Sequence, residues 1–267
     1  MELMGKTALI TGSASGLGKR VALMLAAQGA NIVLNYNSSK REALDLQERL
    51  ERMGVRAAAV QGDIASAEGA EKLSDEALAW SGGIDILINN AGPFVRERLL
   101  FADYETAEIA RLVNGNLLGA MLLDRRVLPE MRRRRWGRII HFGFGHAGEA
   151  RAWPHRAVYA AAKTGLVSFT KSLAAEEAPN GITVNMIGPG DIRGLHKEQG
   201  IDDVAAAGLE GSAGRPGTGE DIARVVLFLC GMRSDFITGS VIDVTGGYDP
   251  IRPNIHEAAN QALFRPR

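Results

Sequence analysis

Short, continuous apolar runs alternate along the chain with longer segments of helical period. The runs at 7–11, 31–36, 56–61, 85–89, 138–142, 182–187 and 241–244 predict strands. The segments 17–28, 39–53, 67–80, 107–131, 158–178 and 219–229 predict helices. Asp85-Ile86-Leu87-Ile88 shows no polar alternation after its first residue, as expected of a parallel strand covered on both faces. Strands alternating with helices imply an α/β fold, a doubly wound and mostly parallel seven-stranded sheet with helices on both faces.

No composition shift, repeat or Pro/Ser-rich linker divides the chain, so residues 1–267 read as one domain. The segment 193–216 stands apart, rich in Gly and Ala and poor in bulky apolar residues. It reads either as a lid over an active site or as a tolerated surface insertion.

Composition narrows the functional classes. The chain is 46% hydrophobic and 23% charged, a globular balance. Its 31 Lys and Arg match its 31 Asp and Glu, which removes the usual warrant for a nucleic-acid or anionic-membrane binder. The one cysteine, Cys230, sits in an apolar run and reads as core, with no disulfide or thiolate metal cluster. No apolar stretch reaches the ~18 residues of a membrane span, and only six residues precede the first strand-like run. A reducing cytoplasmic setting is therefore expected.

The first strand runs into Thr11-Gly12-Ser13-Ala14-Ser15-Gly16-Leu17-Gly18, and a helix follows. Gly12 permits a tight turn, Gly16 a close approach of backbone to a pyrophosphate, and Gly18 close packing of the helix on the sheet. The N–H groups opening that helix would face the anion. Ser13, Ser15 and Leu17 belong to the same predicted cradle. An acid that would hold an NAD ribose is missing at the end of the second strand, Asn35-Tyr36-Asn37-Ser38-Ser39-Lys40-Arg41. Its hydroxyls, amides and cations suit a 2′-phosphate, with Asn37 and Ser38 foremost, so NADP(H) is the expected cofactor. Asp63 and Ile64, after the third strand, are candidates for the adenine, Asp63 alternatively capping a turn. Asn90, Ala91 and Gly92, after the fourth strand, would let a ribose lie against the backbone.

These residues, with Asn116, Tyr159, Lys163, Pro189-Gly190, Thr238-Gly239 and Gly246-Gly247, occur in a telling order. The chain resembles the short-chain dehydrogenase/reductases over nearly its whole length. It is most similar to the 3-oxoacyl-[acyl-carrier-protein] reductase branch, through Gly137-Arg138-Ile139-Ile140, Gly181-Ile182-Thr183-Val184-Asn185 and Gly214-Arg215-Pro216. The resemblance implies a Rossmann fold, a homotetramer, a small ketone or alcohol substrate, and cofactor contacts from Tyr159, Lys163, Pro189 and Gly190.

Tyr159 and Lys163 are four apart, so on a helix they share a face. An ammonium beside the phenol favours phenolate, and the tyrosine can then pass a proton to or from a carbonyl oxygen. Asn116 falls on the apolar stripe formed by Ile109, Leu112, Val113, Leu117 and Ala120, where an amide needs partners. The resemblance implies that it holds a water relaying protons to the lysine.

One departure stands out. The family carries a serine after the fifth strand, yet no serine or threonine occurs between Arg138 and Tyr159. Counting forward from Gly137 puts Phe144 in its place; counting back from Tyr159 puts His146 there. His146 can donate a hydrogen bond and is the expected substitute. Losing such a donor costs about 10²–10³ in turnover, which leaves a non-catalytic nucleotide-binding scaffold or sensor as the alternative. The run Arg132-Arg133-Arg134-Arg135 reads first as a solvated helix end, second as a docking patch for an acidic carrier protein.

Overall fold

The computed structural model describes residues 2–94, 97–208, 213–248 and 251. Seven parallel strands form one sheet: β1 (Thr7–Ile10), β2 (Asn31–Tyr36), β3 (Ala57–Gln61), β4 (Ile86–Asn89), β5 (Gly137–Phe142), β6 (Ile182–Pro189) and β7 (Val241–Val244). Their order across the sheet is β3-β2-β1-β4-β5-β6-β7. The helices are α1 (Gly16–Ala27), α2 (Lys40–Arg52), α3 (Ala67–Ser81), α4 (Thr106–Val113), α5 (Gly119–Arg134), α6 (Ala157–Glu177), α7 (Ile201–Ala206) and α8 (Gly219–Cys230).

Successive residues of each strand feed opposite faces. Ala8 and Ile10, Ile32 and Leu34, and Ile86 and Ile88 pack with α1, α2 and α8. Leu9, Val33, Leu87, Ile139 and Val184 pack with α3, α5 and α6. That two-sided burial explains why the strand sequences are unbroken apolar runs. Cys230 is fully buried in the first layer, as its surroundings in the sequence predict.

The chain runs outward from β1 through β2 to β3, then crosses back to lay β4 on the other side of β1. The loops after β1 and β4 therefore diverge to opposite faces and leave a crevice at the carboxyl edge of the sheet. Ligands of open α/β sheets bind at such a switch point.

Two features depart from the sequence reading. The predicted helix 107–131 is interrupted by a π turn at Asn114–Leu118, where the Gly119 N–H reaches back to Asn114 O. The extra residue shifts the helical register, so Val113, placed on the buried stripe by periodicity, is 36% exposed. Segment 193–216 adds a 3-10 turn at Gly194–Lys197 before its short helix, α7. Part of it, 209–212, lies outside the described residues.

Candidate functional site

An open cleft of about 960 Å³ follows the carboxyl edge of the sheet. Of the expected cofactor residues, Gly12, Ser15, Gly16, Leu17, Asn90, Ala91, Gly92, Pro189 and Gly190 line it, as do Asn116, Tyr159 and Lys163. Gly12 has φ +60°, and a Cβ there would lie 2.9 Å from that of Ala91. At Gly18 a Cβ would stand 2.6 Å from Gly12 O, so this glycine acts from behind the cleft by letting α1 close on the β1 loop.

The loop is tied to its neighbours by buried amides. Asn35 Oδ1 accepts from the Gly12 N–H at 3.1 Å, and its Nδ2 donates to Gly62 O at 3.0 Å. Asn90 Nδ2 donates to Thr11 O at 2.9 Å and to Gly12 O at 3.1 Å. Ser13 is removed from the predicted cradle. It is fully buried, its hydroxyl donates to Ile10 O at 2.8 Å, and it accepts from the Asn35 N–H at 3.0 Å. A serine three residues past a strand was legible as a cradle group but not as a strap between β1 and β2.

The cleft lining does not extend to Asn37, Ser38, Asp63 or Ile64. Asn37 and Ser38 are exposed beyond β2. Asp63 Oδ1 accepts from the Ala65 N–H at 2.9 Å, the turn-capping role. Ile64 is buried, with its carbonyl against Gly119.

At the other end of the cleft, the π turn carries Asn116 inward. Its Nδ2 donates to Pro93 O at 2.8 Å and Leu112 O at 2.9 Å, while its buried Oδ1 has no partner. A Cβ built on Gly92 would lie 2.3 Å from that oxygen and 3.3 Å from Lys163 Nζ, so both atoms face the same small space. Lys163 Nζ donates to Phe142 O at 2.7 Å. Tyr159 packs against Phe94, Phe144 and Trp153, with ring centroids 5.0, 6.0 and 5.9 Å away.

The comparisons agree with this geometry. The family model described as Enoyl-(Acyl carrier protein) reductase matches residues 12–249. The chain belongs to the short-chain dehydrogenase/reductase family. It is 43% identical over 249 residues to "Putative oxidoreductase YtkK" of Bacillus subtilis, covering 92% of this chain and 98% of that protein. It is 35% identical over 253 residues to the 3-oxoacyl-[acyl-carrier-protein] reductase FabG of Aquifex aeolicus, covering 92% and 98%. Among solved structures, a "putative 3-oxoacyl-reductase" from Bacillus thuringiensis has TM-score 0.87 at 43% identity, covering 92% of this chain and 99% of that one. A blue fluorescent protein from a metagenomic library, in complex with NADPH, has TM-score 0.80 at 31% identity, covering 92% and 99%.

Within this dehydrogenase/reductase frame, two expectations need correction. The first is His146. The structure does not bring it to the cleft; its backbone N–H donates to Asp243 Oδ1 at 2.9 Å, and its ring Nδ1 meets Glu149 Oε1 at 2.8 Å. Phe144 lines the cleft beside Tyr159 instead, 5% exposed. Phe144, the residue reached by counting forward along β5, is thus the one in the cleft, and the loop before Tyr159 carries His146 away from it. The second is the state of the tyrosine. The lowering expected from Lys163 together with an oxidised nicotinamide does not come from the lysine alone: Lys163 Nζ donates to Phe142 O, and burial pushes the Tyr159 phenol above its ordinary value.

Two groups escaped the sequence reading. Lys197 joins the cleft lining, and Glu198 beside it accepts from the Gly16 N–H at 2.8 Å and from Lys19 Nζ at 2.6 Å. A carboxylate from segment 193–216 thus sits at the N-terminus of α1, where an anion is favoured. Burial pushes the Glu198 carboxyl up, but Lys19 and the Gly16 N–H outweigh it and hold the group below its ordinary range. His155 also lines the cleft.

Outside the cleft, Asp124 bridges Asn89 and His141, and His141 meets Thr170, all buried. None of these four lines the cleft. The arginine run closes α5 at the opposite edge of the sheet, where Arg132 pairs with Glu177, and Arg134 with Asp85 at 3.3 Å. The helix-end reading accounts for those contacts. Among the described residues no His, Cys, Asp or Glu cluster could hold a metal, and no helix is long and apolar enough to cross a membrane.

Lys163 makes stability depend on pH. Burial lowers its pKa to about 8, against roughly 10.4 in an unfolded chain. Below pH 8 both states hold the proton and the folded state bears the whole cost of a buried ammonium. Between those values the unfolded chain binds one more proton, so stability rises with pH. Denaturant melts of the wild type and Lys163→Met should therefore diverge in favour of the wild type, by about 2–3 kcal/mol between pH 7 and pH 10. Parallel stability curves would show that Lys163 is not buried as a cation.

Proposed function

We propose that the protein is an NADP(H)-dependent oxidoreductase that reduces a ketone to an alcohol, or catalyses the reverse. The observation that carries this reading is the meeting of the unpartnered Asn116 Oδ1 and Lys163 Nζ over Gly92, beside Tyr159, in a glycine-lined cleft. The residues present fit a dinucleotide, because side chains at Gly12 or Gly18 would close the cradle. The relative solved with NADPH supports the same cofactor class.

The absence of a carboxylate at 35–41 supports NADP(H) over NAD(H). Asn37, Ser38, Lys40 and Arg41 are exposed around the start of α2, and Ser39, the residue before that helix, makes no side-chain cap. The helix N-terminus and its cations are thus available to a 2′-phosphate. When bound, the dinucleotide supplies or accepts the hydride. Tyr159, kept protonated by burial, donates its hydroxyl proton to the carbonyl oxygen. Lys163 places positive charge behind the developing phenolate and lowers its cost. Asn116 Oδ1 can accept a hydrogen bond from a water that passes a proton to Lys163.

A second reading, a nucleotide-binding protein without turnover, is favoured by one observation: Phe144 offers no donor in the cleft. Oxidation of NADPH by a panel of ketones, followed by absorbance, separates the two. In the reductase reading, Tyr159→Phe lowers turnover at least ~10²-fold while NADPH binding persists. Equal turnover would place the proton donor elsewhere.

Titration should show NADPH binding at least ~10-fold more tightly than NADH, about 1.4 kcal/mol. Equal affinities would remove the 2′-phosphate argument. Because Glu198 holds a negative charge where the pyrophosphate must come, Glu198→Gln should tighten NADPH binding by about 3–10-fold. Weaker binding would mean that the carboxylate helps to hold the closed cradle.

A further inference from the structure

We infer that His155 is the second hydrogen-bonding contact of the substrate, the first being Tyr159, and that it selects flat, apolar ketones carrying another oxygen close to the reacting carbonyl. The inference rests on the reductase reading above.

Three observations converge on this residue. The first is placement. His155 lines the cleft one helical turn before Tyr159, among Phe94, Phe144 and Trp153. Phe144 and Trp153 have centroids 4.9 Å apart, and Phe94 and Trp153 6.4 Å apart, so the wall beyond Tyr159 is aromatic. Such a wall favours a flat apolar group and offers no hydrogen bond to an oxygen.

The second is backbone geometry. His155 has φ +65°, a left-handed conformation that a residue with a Cβ adopts at a cost. Its carbonyl is gripped from two sides, accepting from Arg156 Nη1 at 2.8 Å and from the Tyr104 hydroxyl at 3.3 Å. The Arg156 guanidinium also donates to Glu97 O and lies 5.1 Å over the Phe94 ring. Cleft and clamp therefore share one polar frame, and it holds His155 in a conformation it would not otherwise keep. Strain of this kind gathers where a ligand is read.

The third is the imidazole itself. Its Nδ1 is buried and has no hydrogen-bond partner. Buried polar atoms are nearly always satisfied, so an exception calls for a reason. An unsatisfied nitrogen on a strained residue in the cleft brings no structural return. A substrate oxygen would complete it, with Nδ1–H as donor. The serine that the family would supply is absent and Phe144 offers no donor, so the His155 imidazole is a nearby group that can read a second oxygen. A site built to hydrogen-bond an oxygen rejects analogues lacking it far more strongly than an apolar wall sorts sizes.

The test uses two ketones with NADPH. Ethyl benzoylacetate has an aryl group and a second oxygen; acetophenone has only the aryl group. The wild type should prefer ethyl benzoylacetate in kcat/KM by at least ~10-fold. His155→Phe keeps a flat ring without the nitrogen, and His155→Gly relieves the backbone and removes the side chain. Both should bring the preference close to one, chiefly by losing the keto ester. His155→Asn, which tolerates the left-handed conformation and keeps a polar group, should retain most of it. NADPH affinity and melting temperature serve as controls, and His155→Gly gives the result should His155→Phe not fold.

Binding gives a readout independent of turnover. Ethyl benzoylacetate should quench Trp153 emission in the cofactor-free protein, and His155→Gly should weaken that binding about tenfold. An unchanged preference or unchanged binding in the variants overturns the inference, as does a wild type whose emission ignores the ester. A wild type that binds the ester through His155 but reduces no ketone would sink the reductase reading and leave the contact standing.

Discussion

The site depends on holding the loop after β1 against the ends of β2 and β4. Glycines make that loop conformable, and buried amides make it rigid. Asn35 satisfies the Gly12 N–H from one side, and Asn90 satisfies the Thr11 and Gly12 carbonyls from the other. Thr11 Oγ1 accepts from the Ala91 N–H at 2.9 Å and completes the link between the two sides. A buried backbone group without a partner costs as much as a lost hydrogen bond. The three loops are therefore coupled, and the cradle keeps its shape without a ligand.

That coupling explains which parts were legible in the sequence. Continuous apolar runs and Gly12, Gly16 and Gly18 report backbone demands, and backbone demands leave residue-type signatures. The strands thus appeared within a residue or two of their bounds. Side-chain satisfaction leaves a weaker signature. Ser13 and Ser15 look alike in the motif, yet one is strapped beneath the sheet end and the other lines the cleft. Asn35 gave no sign in the sequence that it ties the β1 loop to β2 and β3. The π turn at Asn114–Leu118 was invisible because its flanks, α4 and α5, keep ordinary helical composition. Such turns occur disproportionately at functional sites, and this one delivers Asn116.

Charge placement was the least legible part. Spacing puts Lys163 on the face of Tyr159 but does not say what the ammonium touches. In the folded chain it is buried and bound to the Phe142 carbonyl, so burial dominates both side chains: the phenol rises and the ammonium falls. A protonated tyrosine suits donation to a carbonyl, and a cation held at a cost is ready to favour any negative charge that develops nearby. Glu198 belongs to the same class of surprise. It comes from a segment distant in sequence and reaches Gly16 only because the 3-10 turn after β6 folds back onto α1.

Phe144 draws these strands together. A phenyl ring in the cleft beside Tyr159 offers no donor and adds apolar surface there. The ring joins Trp153 and Tyr159 in one packed cluster, so it shapes the wall as well as the chemistry. An apolar wall discriminates weakly, by roughly 1–3 kcal/mol per methylene, whereas a polar group that must be satisfied discriminates strongly. Selectivity in this cleft must therefore come from the polar atoms that the wall leaves unsatisfied. Among the described lining residues, two buried side-chain atoms have no partner, Asn116 Oδ1 and His155 Nδ1. In the proposed reading, proton relay falls to Asn116 and substrate reading to His155, and Phe144, which offers no donor, bears on the second.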